Sequence, residues 1–288
     1  MVKKIRVCAN YDNSENLTNR LLRQFLTPEI NLENIVFVYD DSYDVIVFFN
    51  HVNMEFRSDS RAYVFPHEPS WNGSHQKVFS ENTTIFGFDK SLYSGGVFVE
   101  SLAHTFYGGR GPWIDKLDFW CYENLINQKN KKVKNISSSI TDIDFNYGST
   151  CTYPQRKKIF DNLDEFNFID NYGDSRISPE RKNSLIDYKF NLCIENEHQK
   201  NWITEKFYDS ILNDTIPIYY GCKNIKEIYP EDGYILLENI SDMNYISETL
   251  RHIDQNSDEI YSSKISKLKE IKKRYFEEYN LLKKIINL

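Results

Sequence analysis

An α/β fold of two doubly wound domains facing each other across a cleft is predicted for this 288-residue chain. Three observations predict it. Short β-branched runs alternate with polar, helix-compatible stretches, which disfavours all-α and all-β folds. Around Asn127 to Lys134 (NQKNKKVK) the chain becomes polar and basic without apolar periodicity, and reads as a linker or a surface loop. Beyond it the alternation restarts, and the length suits two domains.

KKIRVCA (3–9) is read as the first strand. Asn16 to Leu26 follows as a helix with Leu17, Leu21, Leu22 and Phe25 on one face. NIVFVYDD, YDVIVFFNH and RAYVFPHEP are further strands with polar ends. In an open parallel sheet ligands sit at the carboxyl edge, so Asp40, Asn50, His51, His67 and Glu68 are the side chains to watch. After the linker come a strand KNISSSIT, a loop GSTCTYPQ, a helix RKKIFDNL, a strand YKFNLCIEN, a helix ITEKFYDSILN and a strand TIPIYYG. The resulting division is 1–130, 131–262 and a C-terminal amphipathic helix 263–288. In that tail Ile265, Leu268, Ile271, Tyr275, Tyr279, Leu282 and Ile286 recur every three or four residues, with eight Lys/Arg against three Glu. It is read as a docking helix for the body, or alternatively as a membrane-surface or partner-binding helix.

Composition excludes several function classes. With 35 basic and 42 acidic side chains the net charge is -7, and the basic surplus of a protein that tracks nucleic acid is missing. Five scattered cysteines show no C-x-x-C or His/Cys spacing for zinc or a disulfide framework, so no metal site is expected. No run approaches the ~20 apolar residues of a membrane span. A cytoplasmic protein is expected, with peripheral membrane contact through the tail as the remaining possibility. Tyr39-Asp40-Asp41 is a capped turn and no D-x-D. Gly95-Gly96 and Gly108-Gly109-Arg110-Gly111 lack the spacing of a Rossmann fingerprint or P-loop and read as turns.

The most informative stretch runs from Tyr188 to Gly221. A buried strand ends in Glu195-Asn196, and Thr204-Glu205-Lys206 opens a helix soon after. Thr204 can cap that helix, whose first-turn amides lack intrahelical partners and carry a partial positive field. Lys206 adds a full charge at the same end, so a diphosphate could be held there without a glycine-rich loop. Glu205 could accept hydrogen bonds from ribose hydroxyls. An ordinary helix start with a first-turn acid is the alternative. A second helix start, Tyr153-Pro154-Gln155-Arg156, also follows a strand, and the arginine fork matches phosphate oxygens. Taken alone, such an arginine is more often a solvated surface residue.

FNLCIEN followed by WITEKF and DSILNDTIPIYYG resembles the signature of the alpha-1,3-fucosyltransferases, with the spacing from Asn196 to Lys206 matching without a gap. The similarity extends from about Lys132 to Tyr234. It implies a GT-B glycosyltransferase: two Rossmann-like domains, the C-terminal one binding a GDP-sugar and the N-terminal one presenting the acceptor. Carried over by position, Arg156 and Lys206 would hold the diphosphate, Glu205 the ribose, and Asn196 and Trp202 the nucleotide or sugar. Trp202 stands where bacterial members have tyrosine. In the N-terminal half, Y-V-F-P-H-E-P-S-W-N places Glu68 near a family glutamate that serves as base. Inversion at the anomeric carbon puts the proton acceptor on the N-terminal wall, opposite the departing diphosphate. Glu68 fits that place, flanked by Tyr63, Phe65 and Trp71, and His67 is the reserve. The expected activity is inverting transfer of fucose from GDP-fucose to a hydroxyl of a glycan acceptor, with GDP as product and no cofactor. Another GDP-deoxysugar donor, and a non-catalytic nucleotide- or sugar-binding protein, are the rival readings.

Overall fold

The computed structural model describes residues 2–66, 68–70, 78–103, 106, 120–173 and 183–288. The reserve base His67, together with Trp71, His104 and the Gly108–Gly111 stretch with Arg110, lies outside the described residues.

The N-terminal region carries a six-stranded parallel sheet in the order β2-β1-β3-β4-β5-β6. Its strands are β1 (Lys3–Ala9), β2 (Ile35–Phe37), β3 (Val45–Phe49), β4 (Arg61–Phe65), β5 (Thr83–Gly87) and β6 (Val97–Glu100). Helix α1 (Ser14–Phe25) connects β1 to β2, and Asn13 caps it by accepting the Asn16 N–H. The second region carries a five-stranded parallel sheet in the order β11-β10-β9-β7-β8. A short α2 (Tyr122–Asn127) leads into it, and it is built from β7 (Lys134–Ser138), β8 (Ile169–Asn171), β9 (Tyr188–Ile194), β10 (Ile216–Tyr220) and β11 (Ile235–Leu236). Helix α3 (Tyr153–Asp161) comes after β7, α4 (Asn183–Ile186) before β9, α5 (Glu205–Leu212) between β9 and β10, and α6 (Ile225–Ile228) and α7 (Met243–Gln255) on either side of β11. Every residue of β3 and β9 is buried, as parallel strands covered on both faces require.

Both sheets reverse their strand order beside the first strand, between β1 and β3 and between β7 and β9. Such switch points open a crevice beyond the strands' carboxyl ends, because successive connections leave on opposite faces. The two-sheet α/β architecture expected from the alternation is therefore present. Strands β5, β6, β8 and β11 are additions that their short or mixed sequences did not announce.

Residues 128–133 join the sheets and are held down more firmly than a polar loop suggests. The Lys132 ammonium donates to Leu185 O, Ile186 O, Asn213 O and Thr215 Oγ1 at 2.7–3.0 Å.

The tail differs from the single helix read over 263–288. Helix α8 (Ser257–Glu277) starts earlier, and after a break α9 (Leu281–Ile286) follows. Asn280 makes the break. Its side-chain oxygen accepts the Lys283 N–H at 3.0 Å and its amide donates to Phe25 O at 2.8 Å. Thus α8 lies on the second sheet's β9, β10 and α5, whereas α9 crosses to α1 of the first. Leu268, Ile271, Tyr275, Phe276, Leu282 and Ile285 are buried, so the apolar stripe serves internal docking rather than a membrane surface. Among the described residues no helix is long and apolar enough to cross a membrane.

Candidate active site

The C-terminal side of the site starts from Glu195, which follows β9 and is wholly buried. Its carboxylate accepts the Thr204 N–H and the Thr204 hydroxyl, both at 2.7 Å, and so ties the end of the strand to the start of α5. Thr204 caps that helix: its Oγ1 accepts the Lys206 N–H at 3.3 Å and the Lys206 ammonium at 3.2 Å, which saturates the hydroxyl. Lys206 is consequently no waving charge. Its Nζ also lies 3.1 Å from Glu205 Oε1 and 3.6 Å from Glu195 Oε2. Burial pushes the Glu195 carboxyl above the ordinary carboxylate range, an effect the Lys206 ammonium opposes. The close fit needs Gly221, where a Cβ would stand 2.3 Å from Glu195 Cγ.

The second helix start is joined to the first through the same strand end. Thr152 N–H donates to Asn196 O at 3.2 Å, the Thr152 hydroxyl donates to Glu195 O, and His198 N–H donates to Thr150 O at 2.7 Å. Pro154 sits in the first turn of α3. Arg156 is 5% exposed, with its guanidinium over the Tyr153 ring at 4.9 Å, which disposes of the solvated-surface alternative. Asn196 Oδ1 accepts the Trp202 indole N–H at 3.1 Å. Trp202 is buried and packs edge-on against Phe88 with ring centroids 4.8 Å apart. It therefore braces Asn196 from the side of the first sheet.

The opposite wall comes from the carboxyl ends of β1, β3 and β4. Asn50 ends β3 in a left-handed conformation, φ 72°, which asparagine tolerates better than most residues. Its amide donates to Glu68 Oε1 at 3.3 Å. Burial holds the His51 imidazole below its ordinary range, opposed by the Glu68 charge. Asp40 is far from this group, at the edge strand, and caps a turn by accepting the Ser42 N–H at 2.9 Å. Tyr63 and Phe65 are engaged with Phe86, Phe65 stacking on it at 4.9 Å, and form no platform at the cleft.

Glu68, Arg156, Asn196, Trp202, Glu205 and Lys206 all line one cavity of about 250 Å³ between the two sheets. Sequence reasoning missed Tyr11, Arg20 and Asp209, which line it too. Arg20 is 3% exposed, with its guanidinium 4.8 Å from the Phe106 ring centroid. Its signal was available, since Arg20 interrupts the Leu17/Leu21 face of α1. Asp209 stands one turn after Glu205 on the same helix face. Both cations and carboxylates thus line the cavity, a lining suited to a ligand with both phosphate and hydroxyl groups. Among the described residues no three His, Cys, Asp or Glu side chains gather as metal ligands.

Residues 126–276, just over half of the chain, match the family model described as glycosyltransferase family 10 (fucosyltransferase), C-terminal part. The chain belongs to glycosyltransferase family 10. A Helicobacter pylori alpha-(1,3)-fucosyltransferase is 27% identical over 142 residues, 46% of this chain and 29% of the relative. A mouse 4-galactosyl-N-acetylglucosaminide 3-alpha-L-fucosyltransferase is 31% identical over 71 residues, 24% of this chain and 20% of the relative. The chain therefore spans less than a third of the length of these relatives. The crystal structure of an alpha1,3-fucosyltransferase with GDP-fucose superposes with a TM-score of 0.51 at 17% identity, covering 92% of this chain and 81% of that one. The GT-B fold expected from the family-10 resemblance is accordingly the fold of this chain. Within the family match lie Arg156, Asn196, Trp202, Glu205 and Lys206, whereas Glu68 lies before it.

Proposed function

We propose that this chain transfers fucose from GDP-fucose to a hydroxyl of a glycan, with inversion at the anomeric carbon. One observation carries the reading. Arg156 and Lys206, the cations of two separate helix starts, line the same cavity as Glu205 and, from the other sheet, Glu68. In this reading the diphosphate lies against the α3 and α5 starts, where Arg156 and Lys206 offset the charge that develops as GDP departs. Glu205 accepts from the ribose hydroxyls, and Asn196 and Trp202 border the nucleotide or sugar. The acceptor enters from the first sheet. Glu68, oriented by Asn50, takes the proton of the attacking hydroxyl as it bonds to the anomeric carbon opposite the leaving diphosphate. Two side-chain cations and two helix termini supply the leaving-group stabilisation that other enzymes assign to a divalent ion, so the proposed reaction requires no protein-bound metal. EDTA should leave turnover intact; loss restored only by Mn²⁺ or Mg²⁺ counts against this.

A thermal-shift series with GDP, UDP, CDP and GDP-sugars tests the donor. A ligand at 100 times its Kd stabilises by ~2.7 kcal/mol, worth ~2–4 °C per kcal/mol in a chain of this size. GDP and GDP-fucose should shift the melting curve. A shift with UDP and none with GDP overturns the reading, and a larger shift with another GDP-deoxysugar replaces fucose. GDP release from GDP-fucose, with a 4-galactosyl-N-acetylglucosaminide as acceptor probe, separates an enzyme from a binding protein without turnover.

A further inference from the structure

The residues between Asn196 and Thr204 form a clasp between the two sheets. Gln199 donates to Asp89 Oδ2 at 2.7 Å, Asn201 donates to Glu100 Oε1 at 2.8 Å, and the Ala103 N–H donates to Asn201 O at 2.9 Å. One contact of the clasp differs from the rest. Glu197 is fully buried, yet its carboxylate reaches across to Ser70, two residues past Glu68. Its Oε2 accepts the Ser70 N–H at 2.8 Å, and its Oε1 accepts the Ser70 hydroxyl and, at 3.1 Å, the hydroxyl of Thr150. Thr150 belongs to the loop that leads into α3 and Arg156, and the Glu197 backbone bridges to Cys151 in the same loop. A single carboxylate therefore joins the Glu68 segment, the approach to Arg156 and the strand end bearing Asn196.

We propose that Glu197 is a positioning residue that sets Glu68 against the donor site by holding the 68–70 segment to the C-terminal sheet. The proposal rests on the functional reading above, in which Glu68 is the base. The geometry explains why the link uses a buried carboxylate. The described residues 66 and 68–70 belong to no helix or strand, and the Ser70 N–H and hydroxyl are groups by which the segment beside Glu68 is held. A carboxylate can accept from both and from Thr150 as well. The link matters because a base must lie within hydrogen-bond reach of the proton it removes, and a displacement of about 1 Å from that geometry can cost ~10²-fold in rate. The donor loop has its own backbone bonds, Thr152 N–H to Asn196 O and His198 N–H to Thr150 O, so GDP binding should not depend on Glu197. Burial pushes the Glu197 carboxyl above its ordinary range, opposed by the bonds from Ser70 and Thr150, and an uncharged amide of the same shape should be tolerated there.

The test is a double-mutant cycle read by GDP release from GDP-fucose with the acceptor probe, and by calorimetric GDP affinity. Glu197→Ala should lower kcat roughly 10–10²-fold while leaving GDP affinity within about twofold. Glu197→Gln, which can still accept the Ser70 N–H and meet its hydroxyl, should restore most of that turnover. In a Glu68→Gln background, Glu197→Ala should cost less than about threefold more, because the group it positions is already gone. Ser70→Ala should show the same pattern more weakly, and it carries the test should Glu197→Ala fail to fold. Full additivity of the two losses, with Glu68→Gln itself impaired, overturns the positioning role alone. A Glu197→Gln variant as inactive as Glu68→Gln makes Glu197 a proton carrier and overturns it too. Normal turnover in Glu68→Gln removes the base assignment and this proposal together.

Discussion

The two walls of the cavity are built by different means. On the C-terminal side the site is largely contiguous: β9, Glu195, the Thr204 cap and Lys206 fall within residues 188–206, joined by Arg156 from the start of α3, and in the proposed function the two helix starts share the binding. On the N-terminal side it is scattered over Tyr11, Arg20, Asn50 and Glu68, single side chains from separate parts of the chain, Arg20 from the middle of α1 and the others from segments that follow strands. Diphosphate recognition, as proposed, would use backbone amides and helix fields, which a local sequence dictates. Proton removal uses one carboxylate, which any strand end can supply. The family match, which starts at residue 126, follows the same divide.

If the divide is functional, substitutions on the two walls must fail differently. The largest effect is expected at Glu68, where Glu68→Gln should lower turnover roughly 10²–10⁴-fold, the range of a positioned general base, with GDP affinity unchanged. His67→Ala is measured beside it. An active Glu68→Gln with an inactive His67→Ala reverses the roles, and two active variants put the base elsewhere. Next come Arg156→Ala and Lys206→Ala, each expected to cost on the order of 10²–10³-fold in turnover and, unlike Glu68→Gln, to weaken GDP binding by calorimetry. Normal GDP affinity in both would dissolve the distinction between the walls.

The same divide governs what could be read from the sequence. The period-2 and buried strand runs announced β1, β3, β4, β7, β9 and β10, and the Thr204 cap and the Pro154 start were legible because local chemistry decides them. Strands β8 and β11, of three and two residues, carry too little pattern to announce themselves. The tail was read as one helix because Tyr279 and Leu282 keep the apolar spacing across the break. The break joins a local cap, the Asn280 side chain accepting the Lys283 N–H, to a tertiary bond, from the Asn280 amide to Phe25 O, that no local pattern contains. Glu205 and Lys206 were legible as charges, but their mutual pairing and the buried strut Glu195 were not, since these depend on which side chains the fold brings within 4 Å. Asn50 and Glu68, 18 residues apart, meet only because β3 and β4 are neighbours in register.

A smaller effect sharpens the comparison within the C-terminal wall. Gly221→Ala forces a methyl group against Glu195 Cγ and Cβ and against Tyr219 Oη at 2.8 Å. Overpacking of this kind costs ~1–3 kcal/mol, to be read as a lowered chemical-denaturation midpoint. Because the displaced group is the strut beneath Thr204, GDP affinity should fall with stability. A change in stability alone would mean that Glu195 supports the fold and not the helix start that binds diphosphate.

The smallest effect lies where the two regions join. Burial lowers the Lys132 ammonium from its ordinary range to about 7, with the nearby Asp214 charge working in the other direction. A lysine whose pKa is lower in the folded chain binds fewer protons there than in the unfolded chain at any pH between the two values. Stability must then rise with pH from about 7 toward the unfolded value near 10.4, and below about 7, where both states hold the proton, the contribution is level at its minimum. At ~1.4 kcal/mol per pKa unit a fall from near 10.4 to about 7 sets an upper limit of roughly 4–5 kcal/mol, which the oxygens around Nζ reduce by favouring the charged form, so a gain of at least about 1 kcal/mol is expected across that window. Lys132→Met removes the titrating group and leaves the other ionisable groups in place. Denaturation measured at pH 7 and pH 10 should therefore show the native chain gaining on the variant by that amount as pH rises, with GDP affinity alike in both at pH 7. A gap that is equal at both values would mean that Lys132 stays charged throughout. The strap between the sheets would then be held by an ammonium whose four acceptors fully replace water.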